Sequence, residues 1–275
     1  MKKLVVPTDF SDNALCAFRF AMEMVPSLEV ALEVMHVFAL PGTEMVSGTH
    51  AQQRFEEWLS SFVKKGRKRV SSEVRNLPVQ TRTLQGLTEA QLIKVSHEPE
   101  VKMMVMGAEG SGGIGKKWFG SVADIVARQA HCPVLLVPEG ISFSGFRHIL
   151  FASDYRAADP FVLDNLLSFA ALFQSSIHFV HVEKTGKCGE YEKVEQRILD
   201  YLFQKGAPSF SFEMSCLQAG DVTHGLEEYA LTHKIDLLVM VATSRTFWET
   251  LFHRSQTKEM ILRSKLPLLV FHLKD

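Results

Sequence analysis

Short apolar runs alternate with longer amphipathic stretches along the whole chain. Runs at 4–8, 30–38, 79–84, 101–106 and 134–138 span five to nine residues and are rich in Val, Leu and Met. That length and content predict strands buried on both faces. Between them, apolar residues recur at helical spacing near 12–25, 50–76, 88–97 and 119–130. Asp12 is a candidate N-cap for the first helix and Thr88 for the third. The same order returns later, with strands expected near 147–153, 175–183, 210–217, 236–241 and 267–272. Asp159-Pro160 sets a capping residue before a first-turn proline there.

The recurrence extends to individual residues. Leu4 to Phe10 lines up with Ile149 to Tyr155 at an offset of 145, and Met35-His36-Val37 with Val180-His181-Val182 at the same offset. Further on, Met103 to Met106 matches Leu237 to Met240, and Cys132 to Leu135 matches Leu266 to Leu269, both at an offset of 134. One deletion of 11 residues between Val182 and Gly220 reconciles the two offsets. The chain therefore reads as two copies of one unit, 1–140 and 146–275, joined by a turn-rich linker at Glu139–Gly145. Strand–helix alternation implies parallel strands joined by right-handed crossovers. The expected fold class is α/β, with two tandem doubly wound five-stranded parallel-sheet domains.

Composition narrows the function classes. The 275 residues carry 30 basic and 31 acidic side chains, a net charge of −1, and 46% are hydrophobic. That suits a globular chain and gives no ground for a nucleic-acid partner, which calls for a basic excess. The dense basic run Lys64 to Arg69 reads as the solvated end of a long helix. No apolar run approaches the roughly 18–20 residues needed to span a bilayer, so no membrane partner is expected. Cys16, Cys132, Cys188 and Cys216 are scattered without a CxxC pair and read as free thiols, which points to a cytoplasmic location. His36 and His181, at equivalent strand positions with no second ligand nearby, read as hydrogen-bonded structural residues.

In doubly wound sheets, ligands bind beyond the C-terminal strand ends where the strand order reverses. The segment after the fourth strand, Gly107 to Ser121, holds six glycines in fifteen residues. Glycines let backbone N–H groups approach a phosphate, and Gly120-Ser121 opens a helix whose amides favour an anion. Gly110-x4-Gly115-Lys116 nearly fits a P-loop, but Lys117 stands where Mg²⁺ requires a hydroxyl. Ser111-Gly112-Gly113 is similar to a pyrophosphatase-type loop, but that loop follows a first strand.

Gly107-x2-Gly110-x9-Gly120-Ser121 resembles the nucleotide-binding signature of the universal stress protein family. Val5 to Ser11 resembles the family's opening strand, His36-Val37 the end of its second, and His131 to Val137 its closing strand. The resemblance covers nearly the whole chain as two tandem family domains. It implies the adenine nucleotide α-hydrolase-like fold and a site for ATP, ADP or AMP, with or without Mg²⁺, in the first domain. Asp9 would accept a hydrogen bond from the adenine amino group, with Pro7 and Thr8 beside it. Val37 would meet the base. Met106, Gly107 and Gly110 would line the ribose and first phosphates, and Gly120, Ser121 and Val122 would hold the phosphates. It further implies a stress sensor or regulator with a protein partner. The two halves would pack as a pseudo-dimer through strands 134–137 and 268–271, with a homodimer of chains as a further option.

The second copy lacks the loop's glycines. Val241, Ser244 and Arg254 replace Gly107, Gly110 and Gly120, and only Ser255 is kept. Asp154 and Val182 persist, and Arg245 and Arg254 offer an alternative anion contact through side chains. No carboxylate pair or Ser/His/Asp pattern points to a dedicated catalyst. Slow ATP hydrolysis or self-phosphorylation at Ser111 or Ser121 is the rival reading, and a nucleotide-free scaffold a third.

Overall fold

The computed structural model describes residues 1–39, 48–108, 121–153, 159–183, 191–204, 206–242 and 266–273. The chain divides into two compact units, Met1–Phe143 and Ser144–Asp275.

Unit 1 runs β1 (Lys3–Pro7), α1 (Asp12–Leu28), β2 (Ala31–Phe38), α2 (Gly48–Arg67), β3 (Val79–Gln85), α3 (Thr88–Ser96), β4 (Val101–Gly107), α4 (Ser121–Gln129) and β5 (Val134–Val137). Its sheet has the order β3-β2-β1-β4-β5, with every pair parallel. Connections run outward from β1 through β2 to β3, then return to β4 on its other side. The order therefore reverses between β1 and β4. Unit 2 runs β6 (His148–Ala152), α5 (Pro160–Phe173), β7 (Ser176–Glu183), α6 (Tyr191–Phe203), β8 (Phe212–Gln218), α7 (Val222–Thr232), β9 (Leu237–Val241) and β10 (Leu268–Phe271). Its parallel order is β10-β9-β6-β7-β8. Both units are thus doubly wound five-stranded parallel sheets, as the alternation of runs predicts.

Burial explains the continuous apolar strands. Leu4, Val5 and Val6 of β1 are fully buried, as are Ile149, Leu150 and Phe151 of β6. Helices cover both faces, so neither strand shows alternation. Helix α1 seals one face with Ala14, Ala17, Phe18, Ala21, Met22 and Val25, a stripe at helical spacing. Burying one such large side chain contributes roughly 1.5–3 kcal/mol.

Several local signals resolve differently from the sequence reading. Ser11, not Asp12, caps α1: its side chain accepts from the Ala14 N–H, and Asp12 is the first helical residue. Leu87, not Thr88, precedes α3 and gives no side-chain cap. Helix α1 runs through Pro26 to Leu28, where Glu29 turns left-handed with φ 52° and stops it. Gln174 ends α5 the same way, φ 54°, at the equivalent position. Helix α2 ends at Arg67 rather than near 76. The Arg67 guanidinium donates to the carbonyls of Arg75 and Leu77, which folds the following segment into turns before Pro78. Asp159 caps α5 as expected, accepting from the N–H groups of Phe161 and Val162. The cysteines differ from one another. Cys16 and Cys132 are free, but Cys216 is disulfide-bonded, so the free-thiol ground for a reducing compartment does not hold for it. Pairing depends on proximity in space, which scattered spacing conceals.

Candidate functional site

The site begins where β1 leaves the sheet. The Thr8 N–H donates to the Met35 carbonyl at 2.8 Å, carrying the β2 pairing one residue beyond the strand. Three side chains then bend the chain in succession. Thr8 Oγ1 accepts from the Phe10 N–H at 2.9 Å, Asp9 Oδ1 from the Ser11 N–H at 3.0 Å, and Ser11 Oγ from the Ala14 N–H at 3.1 Å. These local bonds favour turns and caps over strand. Phe10 takes φ 64°, a left-handed conformation that costs about 1–3 kcal/mol for a non-glycine residue. The bend leaves Asp9 exposed at the tip, while Thr8 is buried.

A histidine braces this turn from the neighbouring strand. His36 Nδ1–H donates to the Thr8 carbonyl at 2.7 Å. Its ring lies 4.5 Å from Phe10 and 4.8 Å from Phe55, centre to centre. Burial holds the His36 pKa below its ordinary value, against the opposing pull of the Thr8 carbonyl and Asp9. The brace is therefore a neutral imidazole. Phe10 also meets Trp58 and Phe62 edge-on, which adds an aromatic wall from α2.

The expected site residues fall into three groups. Pro7, Thr8 and Asp9 at the end of β1, Val37 near the end of β2, and Met106 and Gly107 at the end of β4 share one end of three adjacent strands. Val37 and Met106 are buried, whereas Gly107 is half-buried. Ser121, exposed, and Val122, half-buried, stand in the first turn of α4. Gly110 and Gly120 lie outside the described residues, as do Ser111, Lys116 and Lys117.

Gly107 has a structural role that the motif does not reveal. A Cβ there would stand 2.9 Å from Asn13 Cγ and 3.0 Å from the Asn13 carbonyl carbon. The first turn of α1 thus presses on the end of β4. Asn13, Phe10 and Trp58 all escape the sequence reading. Only the closeness of Phe10 to Asp9 hinted at any of them.

Unit 2 keeps the brace and changes the rim. His181 Nδ1–H donates to the Ser153 carbonyl at 2.7 Å, as His36 does to Thr8. Tyr191 of α6 stacks on that ring at 5.3 Å. Val241, buried, takes the place of Gly107 at the end of β9. A Cβ on Gly225 of α7 would lie 3.2 Å from Val182 Cγ1, so α7 packs closely on the counterpart of Val37. Asp154, Ser244, Arg245, Arg254 and Ser255 lie outside the described residues. Among the described residues, no cluster of three or more His, Cys, Asp or Glu is arranged to hold a metal ion, and no helix is long and apolar enough to cross a membrane.

Comparison with known proteins bears on this arrangement. The model of the universal stress protein family matches residues 1–138. A universal stress protein of Methanocaldococcus jannaschii is 27% identical over 138 residues, covering 50% of this chain and 81% of that protein. A solved universal stress protein from Archaeoglobus fulgidus superposes with a TM-score of 0.70 at 16% identity, over 99% of this chain and 97% of its own. A putative universal stress protein from Pseudomonas aeruginosa gives 0.57 at 13% identity, over 99% and 93%. At those identities the two structures speak for the fold alone. The match to the family model spans half of the sequence, and the chain belongs to the universal stress protein family.

Proposed function

We propose that unit 1 binds an adenine nucleotide and that the protein acts as a nucleotide-dependent regulator of a protein partner rather than as a dedicated catalyst. One observation carries the reading: the strand order reverses between β1 and β4, and Asp9 stands exposed at the tip of β1 beside that crevice. The residues suit such a ligand. An exposed carboxylate can accept from the adenine amino group, whereas guanine presents a carbonyl oxygen at that position and is repelled. Val37 and Met106 supply apolar surface at neighbouring strand ends. The loop from Gly107 to Ser121 contributes glycines, and the first turn of α4 contributes the N–H groups of a helix start for phosphate. Unit 2, with Val241 in place of Gly107 and no glycine from there to Ser255, does not bind nucleotide in this way.

Calorimetric titration of the full chain with ATP, ADP, AMP and GTP, with and without Mg²⁺, tests the reading. We expect one adenine nucleotide per chain and weak or no binding of GTP. Gly110→Val with Gly120→Val should lower affinity at least tenfold while far-UV circular dichroism is kept. Asp9→Ala should narrow the gap between ATP and GTP. Undiminished ATP binding in the double glycine variant would sink the assignment. Steady ATP turnover abolished by Gly120→Val would replace the regulator with an enzyme.

A further inference from the structure

The two units also differ at a pair of matched positions on neighbouring strands, β1–β2 and β6–β7. In unit 1, Lys3 of β1 and Glu33 of β2 are buried and form an ion pair at 3.0 Å. Glu98, 3.2 Å from Lys3 and 2.8 Å from Arg82, completes a network of permanent charges. In unit 2 the equivalent residues are His148 of β6 and His178 of β7. The register is the same: Lys3 pairs with Ala31 and His148 with Ser176, while Val5 pairs with Glu33 and Leu150 with His178. An ammonium–carboxylate ion pair has been exchanged for two imidazoles.

Every element packed around His178 brings a polar or titratable group. From β6, the His148 ring lies 5.8 Å away, its Nδ1 2.8 Å from Ser176 Oγ. From β8, Glu213 Oε2 is 3.4 Å from His178 Nδ1, and Ser215 Oγ is 3.3 Å from the Tyr229 hydroxyl. From α7, that hydroxyl is 3.1 Å from the same Nδ1, and His233, which ends the helix, lies 5.5 Å away ring to ring. Tyr229 and His233 stack at 3.8 Å. The bond from Tyr229 to His178 is therefore a side-chain tether of α7 to β7, beside the same hydroxyl's bonds to Ser215 and Glu213 of β8.

We propose that His148, His178 and His233, with Glu213, form a proton-binding site in unit 2 whose occupation loosens α7 from the sheet. The chemistry follows from the ring. Once protonated, both nitrogens of His178 are donors. The charge sits in a buried position facing two further imidazoles, and Glu213, at the solvent edge, becomes its strongest partner. The Tyr229 hydroxyl, itself bonded to Glu213, then competes with that carboxylate for Nδ1, and the tether to β7 weakens. Burial, with His233 and His148 adding to it, holds the His178 pKa below its ordinary value, while Glu213 opposes. The sign is clear. Below about pH 6.5 the unfolded or detached ring binds more protons than the packed one, so attachment of α7 weakens as pH falls. In unit 1 the same positions carry the Lys3–Glu33 ion pair, with no imidazole at either.

Hydrogen exchange of the full chain at pH 5.5–7.5, corrected for intrinsic rates, tests the site. Protection of α7 amides should fall on acidification by severalfold, bounded at about tenfold per pH unit for one proton. Helix α1 should stay constant. His178→Gln should flatten the α7 response, and Glu213→Gln, at an exposed position, should move it to lower pH. An NMR titration of His178 in the unaltered protein gives a readout that needs no variant. A midpoint at or above 6.5, an α7 response that persists in folded His178→Gln, or one unmoved by Glu213→Gln would overturn the proposal. Zn²⁺ raising α7 protection at pH 7.5 in the unaltered protein but not in His178→Gln would also overturn it, by making the cluster a metal site.

Discussion

Gly107→Ala should weaken the fold of unit 1 as well as ligand binding. The backbone at Gly107 is open to alanine, since its φ lies outside the left-handed range. Loss of glycine from the unfolded chain alone would stabilise by about 0.4–1 kcal/mol. Against this stands the contact with α1. The added methyl would lie 2.9 Å from Asn13 Cγ, 3.0 Å from the Asn13 carbonyl carbon and 3.1 Å from Nδ2. The side-chain atoms can rotate aside, but the carbonyl carbon moves only if the first turn of α1 retreats. Overpacking of this kind costs about 1–3 kcal/mol. The net expectation is a loss of about 1–2 kcal/mol. Retreat of α1 also drags the Ser11 cap and the Asp9 turn, so ATP affinity should fall about tenfold for each 1.4 kcal/mol of misplacement. Urea unfolding followed by circular dichroism, with hydrogen exchange of α1 and β4 amides, reads the stability; calorimetry reads the affinity. A variant as stable as the parent that has still lost ATP would refute the packing argument and leave Gly107 acting on the ligand alone.

Other outcomes follow from single contacts. Gly66→Ala, which in an exposed helix would stabilise by about 1 kcal/mol, should destabilise here. Its Cβ would stand 2.3 Å from the buried Phe18 ring, and Phe18→Leu should partly rescue it in a urea double-mutant cycle. Lys3→Met should destabilise by roughly 3–5 kcal/mol, the range for breaking a buried pair, because among the described residues the cation left near Glu33 is a distant Arg82 at 3.9 Å; urea unfolding measures it. Arg82 and Lys3 hold Glu98 below the ordinary carboxylate range despite its burial. Its stabilising share is present above about pH 4.5 and lost as pH falls through the folded value, visible as an acid limb that Glu98→Gln reduces. Cys132, its thiol pushed up to about 12 by burial, should resist a disulfide reagent until unfolding, as peptide mapping of the labelled chain would show.

The frame was legible because its signals are long and redundant. Nearly all-apolar central strands, repeated in order between helical stretches, admit little besides parallel sheets under two layers of helix; the edge strands β3 and β8, polar and largely unburied, depart from the expectation of strands buried on both faces. The turn after β1 was partly legible, since Thr8, Asp9 and Ser11 are turn formers. What escaped was whatever depends on residues distant in sequence. Nothing in the neighbourhood of Asn13 shows that it will touch Gly107. Ser11 and Asp12 are both good caps, and only the geometry of the bend at Phe10 selects Ser11. The end of α2 is set by Arg67 reaching carbonyls 8 and 10 residues ahead, which no helical periodicity encodes. His148 and His178 look like isolated histidines until the register lays them beside Tyr229 and His233.

The histidine brace has a consequence for how such a chain can diverge. His36 and His181 each bond, from an adjacent strand, the carbonyl of the residue that follows the first strand, so both units keep the same hold on the point where that strand leaves the sheet. In unit 2 that hold is made between β7 and the end of β6, and so is specified apart from the sequence between β9 and β10. The two halves are in effect one chassis carrying different fittings: a glycine-bearing stretch from Gly107 to Ser121 in the first, and in the second a stretch from Val241 to Ser255 with no glycine at all.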